Sequence, residues 1–251
     1  MATGREVARR SGIDRKGDGG GSRVEGPKIV DLPGLRDRTS VFRDRAAAGN
    51  VLAGMLDGYR ETNALVMGIP AGGIAVAVET ARGLGLPLDV AVVSKITLPW
   101  NTEAGYGAVA FDGTVLLNEE LLFRFHLSSL EIESGIGRTK DKVARRVKLF
   151  RGNHAMADFK GPVVLIDDGL ASGFTLRVAV KALRRAGASE IVVAVPTAHL
   201  ESAKGLSEVD AIYCANLRGG SSFAVADAYE EWSDLAESEA VKLFREFDKS
   251  R

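Results

Sequence analysis

The sequence predicts an α/β fold, a doubly wound parallel sheet with helices on both faces, from three observations. Short apolar runs rich in β-branched residues indicate strands that are buried on both faces, as in parallel sheets. Glycine-bearing turns follow several of these runs. Segments with apolar residues at helical spacing follow the turns, and this alternation of strand and helix is typical of a doubly wound sheet.

The composition excludes several classes of function. The chain has 251 residues, of which 33 are acidic and 33 basic, so it lacks the positive charge typical of nucleic-acid-binding proteins. Its one cysteine, Cys214, excludes a disulfide framework and a multi-cysteine zinc site. No apolar run approaches membrane-spanning length, and no apolar signal core follows the basic N-terminus. We therefore expect a cytoplasmic protein that binds neither nucleic acid nor membrane.

The N-terminal part of the chain divides into a tail and the start of a single domain. Residues 1–27 are rich in Gly, Arg, Lys and Asp and cannot bury enough apolar surface to offset their ordering entropy, which predicts a disordered tail. Residues 28–251 are expected to form one domain. Its first elements are a short edge strand at residues 28–32 and an amphipathic helix at residues 43–59.

A first strand–turn–helix unit follows. Residues 64–69 predict a buried strand, which runs into a turn formed by Pro70 and by Ala71, Gly72 and Gly73. A helix is predicted from there to Leu84. A helix N-terminus that follows a glycine turn can bind an anion, since its amide groups and dipole favour negative charge. An ordinary βα turn would have the same pattern, so this segment alone leaves both interpretations open.

The middle of the chain predicts a third strand, a loop, a hairpin and a basic helical region. The helical region breaks near Leu127, and its basic residues indicate a solvated face or, alternatively, cations that reach a phosphate across a subunit interface. The hairpin turn is Asp112-Gly113. The predicted ranges are 88–93 for the strand that ends at Ser94-Lys95, 96–104 for a mobile loop, 106–111 and 114–117 for the hairpin, and 118–151 for the helical region.

The segment 161–180 is the most informative part of the sequence. A buried strand is followed by two adjacent carboxylates, a loop with glycines and hydroxyl side chains, and a helix from about Phe174. Amide groups freed by the glycines, hydroxyl donors and the helix dipole together favour a phosphate. The carboxylates suit sugar hydroxyls or Mg²⁺. A Walker loop is excluded because no Gly-Lys-Ser/Thr follows the strand. The residues are Val163–Ile166, Asp167, Asp168, Gly169, Ser172, Gly173 and Thr175.

This segment resembles the phosphoribosyl diphosphate (PRPP) motif of the type I phosphoribosyltransferases. That motif has four apolar residues, two acidic residues, a short loop and Thr-Gly-x-Thr, and this chain ends the motif with Ser-Gly-Phe-Thr. The resemblance implies that Asp167 and Asp168 hold the ribose hydroxyls. It also implies that the loop holds the 5′-phosphate through Gly169, Leu170, Ala171, Ser172, Gly173, Phe174 and Thr175.

The resemblance extends from about Phe42 to Phe247 and implies a small hood, packed by Tyr229 and Trp232, and a flexible loop or hairpin insertion. It makes the turn with Ala71, Gly72 and Gly73 the pyrophosphate loop. Relatives carry arginines where this chain has Ala71 and Ser94, which leaves Lys95 as the local catalytic cation. The glutamate that the family pattern expects is Glu103.

The resemblance implies a phosphoribosyltransferase, whose expected partners are PRPP or another ribose 5-phosphate compound and, in a homodimer, a second copy of the chain. Mg²⁺ would be held at Asp167 and Asp168 through substrate hydroxyls or water. Two alternatives stay open. The first is a non-catalytic regulator that binds PRPP or a nucleotide. The second is a hydrolase or phosphorylase that acts on a ribose 5-phosphate compound. The related 6-oxopurine salvage enzymes carry an aspartate base at the position of Ala171, so its absence argues against that chemistry.

Further strands are expected near the C-terminus. Residues 190–195 form an apolar run, and residues 211–213 form a second, shorter one. A helix is predicted between them at about 199–206. The chain's three histidines lack metal-ligand spacing and are interpreted as structural or surface residues.

Overall fold

The computed structural model describes residues 26–249, except for the side chains of residues 102 and 103. The predicted tail at 1–27 therefore lies outside the described residues, apart from Gly26 and Pro27.

A six-stranded parallel sheet forms the centre of the protein, in the order β1-β9-β8-β7-β2-β3. This confirms the predicted doubly wound α/β fold. The edge strand β1 pairs with β9, and β7 lies between β8 and β2. The strands are β1 (Lys28–Asp31), β2 (Leu65–Gly68), β3 (Leu88–Val90), β7 (Val163–Ile166), β8 (Ile191–His199) and β9 (Ala211–Arg218).

Seven α-helices accompany the sheets in the described part of the chain. Their caps agree with the sequence: Asp44 accepts a hydrogen bond from the amide of Ala47, and Ser128 forms a capping box with Glu131. The helices are α1 (Arg45–Met55), α2 (Gly72–Leu84), α3 (Glu119–Phe125), α4 (Ser129–Arg151), α5 (Phe174–Arg185), α6 (Leu200–Lys204) and α7 (Glu237–Lys249). None of them is long and apolar enough to cross a membrane.

The strand β7 shows why the buried strands are apolar throughout. Val164 and Ile166 pack on one face with residues of α1, α2 and α7, whereas Val163 and Leu165 pack on the other face with residues of α5. All four side chains are fully buried. Because both faces are covered by helices, neither face of this strand can carry a polar residue until the strand ends.

A separate three-stranded antiparallel sheet contains β4 (Val93–Leu98), β5 (Asn101–Ala110) and β6 (Val115–Leu117). Two predictions were therefore wrong. The third strand ends at Val90 rather than at 93, and residues 96–104 form the turn end of the β4–β5 hairpin instead of a mobile loop. The hairpin turn at Asp112-Gly113 is confirmed by the pairing of β5 with β6.

Candidate functional site

The carboxyl ends of β2 and β7 mark the point where the sheet's strand order reverses. The two strands are neighbours, with Gly68 opposite Ile166. From β2 the chain passes through α2 to β3 on one side, and from β7 it passes through α5 to β8 on the other. Ligands of open α/β sheets bind in the crevice at such a reversal. This topology brings the two predicted anion loops together.

The two loops pack against each other so closely that only glycine fits between them. A Cβ on Gly72 would overlap the carboxylate of Asp168, with its Cγ 2.6 Å away. A Cβ on Gly73 would lie 2.9 Å from both the Cα of Asp167 and the carbonyl oxygen of Ile166. The acidic pair and the pyrophosphate loop therefore form one surface. The Pro70–Ala71 peptide bond is cis.

The phosphate loop leads directly into α5. Gly173 is the N-cap with φ 70°, a left-handed conformation that favours glycine, and no side chain caps the helix there. The amide of Phe174 donates to Ser172 Oγ at 3.4 Å, and the amides of the following residues of the first turn remain available for an anion. A cavity of about 130 Å³ lies at this position, lined by Asp167, Gly169, Leu170, Ala171, Ser172, Gly173, Phe174, Thr175, Leu176 and Val225.

Loop residues differ in what they can offer a ligand. Ala171 and Ser172 are exposed, and Thr175 is half-buried. Leu170 instead anchors the loop, because its amide donates to Thr197 O at 2.9 Å and its carbonyl accepts from the amide of His199 at 2.9 Å. Phe174 is half-buried against the core cluster that contains the α5 side chains. We conclude that the exposed part of the loop is the part that can meet a phosphate.

The acidic pair is electrostatically unequal. Burial, followed by the negative charge of Asp168, holds the pKa of Asp167 well above that of an ordinary aspartate. Its Oδ1 accepts a hydrogen bond from the amide of Asp168 at 2.9 Å. Asp168 instead pairs with Arg45, whose Nε lies 2.9 Å from its Oδ2. One carboxyl group thus resists ionisation, and the other is paired with a guanidinium.

Arg45 is a site residue that the sequence analysis missed. Besides Asp168, it donates from Nη1 to the carbonyl of Ser233 at 2.9 Å, and its guanidinium carbon lies 3.9 Å from the ring centroid of Trp232. Tyr229 donates from its hydroxyl to the carbonyl of Asp168 at 2.7 Å. The predicted hood, with Tyr229 and Trp232, therefore contacts the acidic pair. Arg45 was not assigned to the site from the sequence, because 123 residues separate it from Asp168.

The pyrophosphate loop also has a guanidinium that the sequence analysis did not assign to it. Arg146 of α4 donates from Nη1 to Val93 O at 3.0 Å and to Ser94 Oγ at 3.1 Å, and its Nη2 lies 3.5 Å from Pro70 O. It also pairs with Glu237, and its side chain is 14% exposed. The basic face of α4 is therefore not solvated throughout. One of its cations lies beside Ser94, where the resemblance implied a lost arginine.

The remaining predicted residues lie around this loop. Ala71 is the N-cap of α2 and half-buried. Lys95 lies exposed on β4, next to Ser94, and a Cβ on Gly105 of the neighbouring strand would overlap its side chain. Glu103 belongs to β5, but its side chain lies outside the described residues. Arg146 thus connects the strand of Lys95 to the turn of Ala71.

A protein cage for a metal ion is absent among the described residues, in which no three His, Cys, Asp or Glu side chains cluster suitably. Two adjacent carboxylates beside a phosphate loop nevertheless fit Mg²⁺, which usually keeps several waters and binds through one or two carboxylates together with substrate phosphates. The donor set therefore fits a metal that arrives with a phosphorylated ligand.

Comparisons with known proteins agree with this geometry. The family model of the phosphoribosyl transferase domain matches residues 43–215, which include both loops. Two Mycobacterium tuberculosis proteins, from strains CDC 1551 and H37Rv and provisionally named phosphoribosyl transferases, are each 32% identical over 203 residues. These matches cover 80% of this chain and 46% of the relatives, so the chain spans about half the length of the curated relatives it matches.

A solved structure is also similar. The crystal structure of a protein from Thermus thermophilus matches with a TM-score of 0.67 and 31% sequence identity. The match covers 82% of this chain and 98% of that protein. The similarity therefore includes nearly all of the neighbour and most of the chain described above.

Proposed function

The chain belongs to the phosphoribosyl transferase domain family, and from this we propose that it transfers ribose 5-phosphate from PRPP to a nitrogen acceptor. One observation carries the proposal. The acidic pair and the pyrophosphate loop pack into a single surface at the strand-order reversal, with the N-termini of α2 and α5 directed to it. A sugar with a phosphate on one side and a pyrophosphate on the other has the matching distribution of charge.

The proposed step is a substitution at C1 of the ribose. The C1–O bond breaks with its electron pair passing to the departing pyrophosphate, a nitrogen lone pair forms the C1–N bond, and the nitrogen loses its proton to solvent or to a base. Asp167 and Asp168 orient the ribose hydroxyls and stabilise positive charge that develops on the ring. Mg²⁺ bound with the substrate supplies further neutralisation of the leaving group.

Release of pyrophosphate from PRPP, with and without a panel of nucleobases, tests the proposal. Release that depends on a base supports transfer. Release that is independent of a base contradicts transfer and supports the hydrolytic alternative. Binding of PRPP without release supports the regulatory alternative, which is favoured by one observation, that Asp168 is paired with Arg45.

We also propose a homodimer. Three large apolar side chains on α3, α4 and the β4–β5 turn are strongly exposed, with Phe123 81%, Leu130 78% and Trp100 61% accessible. Burial of such side chains against a second copy would remove apolar surface from water. Sedimentation velocity of the native chain and of Phe123→Glu tests this, and a native protein that sediments as a monomer at all concentrations would contradict it.

A further inference from the structure

The position of Arg45 relative to the pyrophosphate loop is the starting observation. It is the first residue of α1, outside both loops, and its Nε lies 3.1 Å from where a Cβ on Gly72 would be. Gly72 is the first residue of α2. The guanidinium therefore stands at the helix N-terminus where the proposed function puts the pyrophosphate.

The surroundings of Arg45 fix the plane of its guanidinium but leave one edge available. Trp232 lies against its face, Asp168 accepts from Nε and Ser233 from Nη1. Its Nη2 has no hydrogen-bond partner among the described residues. Since no buried side-chain nitrogen or oxygen of those residues lacks a partner, Nη2 reaches solvent. A planar, stacked guanidinium with an open edge is suited to bind an oxyanion bidentately.

The pair with Asp168 conflicts with the role that the proposed function gives that carboxylate. Ribose hydroxyls need Asp168 as an acceptor, while its Oδ2 is occupied by Arg45. An arriving phosphorylated ligand resolves the conflict, because its anionic oxygens can replace the carboxylate as the partner of Arg45. The number of charge-assisted hydrogen bonds to the guanidinium then stays the same, and Asp168 becomes available to the sugar.

We propose that Arg45 exchanges partners when substrate binds, from Asp168 to the pyrophosphate group of the substrate. It is thereby a pyrophosphate-binding residue and also controls when Asp168 can bind ribose. The proposal rests on the proposed function, since it requires a ligand with both a ribose and a pyrophosphate group. Trp232 keeps the guanidinium plane in place during the exchange.

Calorimetric titration of two separate probes, pyrophosphate with Mg²⁺ and ribose 5-phosphate, tests the exchange in native protein and in Arg45→Gln. We expect Arg45→Gln to weaken pyrophosphate binding about tenfold or more, as loss of a charged hydrogen-bond partner does. Binding of ribose 5-phosphate should stay unchanged or become tighter, because Asp168 is released. Arg43→Gln, two residues away and exposed, is the matched control and should change neither affinity.

Two further measurements distinguish a loss of binding from a loss of folding. Arg45→Lys keeps a cation but loses the bidentate, stacked geometry, so it should give a smaller loss of pyrophosphate affinity than Arg45→Gln. The chain has two tryptophans, so Trp100→Phe leaves Trp232 as the sole indole. Its emission should change when pyrophosphate draws Arg45 away from Asp168.

The outcomes separate this proposal from the proposed function. Native protein that binds neither probe overturns both. If the native protein binds pyrophosphate and Arg45→Gln binds it with unchanged affinity, the exchange alone is overturned. The exchange alone is also overturned if Arg45→Gln lowers both affinities in parallel. Trp232 emission that stays constant while calorimetry detects pyrophosphate binding likewise overturns it. Loss of pyrophosphate affinity without loss of ribose 5-phosphate affinity supports it, because a residue that only maintained the fold would lower both.

Discussion

The phosphate side and the pyrophosphate side of the candidate site are built in different ways. The cavity at the N-terminus of α5 is lined by residue 167 and residues 169–176, all from one stretch of the sequence, together with Val225. The pyrophosphate side is assembled from the α2 turn, from Arg45 of α1, from Arg146 of α4 and from Ser94 of β4. The difference shows that a loop whose own sequence lacks cations can receive them from distant helices when the chain folds.

Asp168→Asn tests the place where the two sides meet and should have the largest effect. The amide loses the charge that strengthens hydrogen bonds from ribose hydroxyls, so ribose 5-phosphate affinity should fall by about 1.5–3 kcal/mol. Pyrophosphate affinity should not fall, since Arg45 is released. Calorimetry measures both, with the exposed Asp158→Asn as control. Unchanged ribose 5-phosphate affinity with normal melting would remove Asp168 from the site.

Gly73→Ala tests whether the two sides must touch. The added Cβ would lie 2.9 Å from the backbone of Ile166 and Asp167, where neither neighbour can yield easily. We expect the free energy of unfolding to fall by roughly 1–3 kcal/mol, as overpacking costs. Gly54→Ala is the control, since nothing lies within 4 Å of its Cβ position in α1 and alanine favours helix. Equal unfolding midpoints for native and Gly73→Ala protein would show that the loops can separate.

Arg146→Gln tests the pyrophosphate side alone. Loss of this guanidinium from beside Ser94 and Pro70 should weaken pyrophosphate binding by about 1.5 kcal/mol and leave ribose 5-phosphate binding unchanged. Arg145→Gln, its exposed neighbour, is the control. Ala71→Arg should restore part of the affinity in the Arg146→Gln background and add less to the native protein. If Ala71→Arg strengthens the native protein just as much, Arg146 does not supply the missing charge.

Asp167→Asn tests the phosphate side through the pH dependence of stability and should have the smallest effect. Burial and the charge of Asp168 raise the native pKa of Asp167 above its unfolded value, so the native state binds more protons. Stability is lost as pH rises from the unfolded pKa through the raised native one. Asparagine does not titrate, so Asp167→Asn removes this loss of stability. The melting temperature of Asp167→Asn minus that of the native protein should therefore increase between about pH 4 and pH 8. A difference that does not depend on pH would contradict the raised pKa.

The same contrast explains how much could be predicted from the sequence. The doubly wound fold and the strand–loop–helix unit at 161–180 were predicted, because these elements are contiguous in the sequence. Arg146 could not be assigned to the site, since it lies 76 residues from Pro70 and its segment has the composition of a solvated face. The packing of α4 against β4 turns this arginine inward.

One error was avoidable. The sequence analysis predicts a loop at residues 96–104, although Ile96 and Leu98 are buried while Lys95 is exposed, a period of two that favours a strand. Register shifts between Ile96 and Leu98 interrupt the pairing of β4 with β5. Irregular pairing of this kind interrupts the strand ladder next to the hairpin turn.

That hairpin has a thermodynamic consequence. Tyr106 of β5 is 1% exposed, and its hydroxyl packs so tightly on Gly135 of α4 that a Cβ there would overlap it. The hairpin strands and α4 thus form one packed unit. Fixing the backbone of one residue costs roughly 1–2 kcal/mol in conformational entropy, which a coil would pay each time it became ordered around a ligand. A hairpin folded in advance has already met this cost during folding, so ligand binding beside Lys95 does not meet it again.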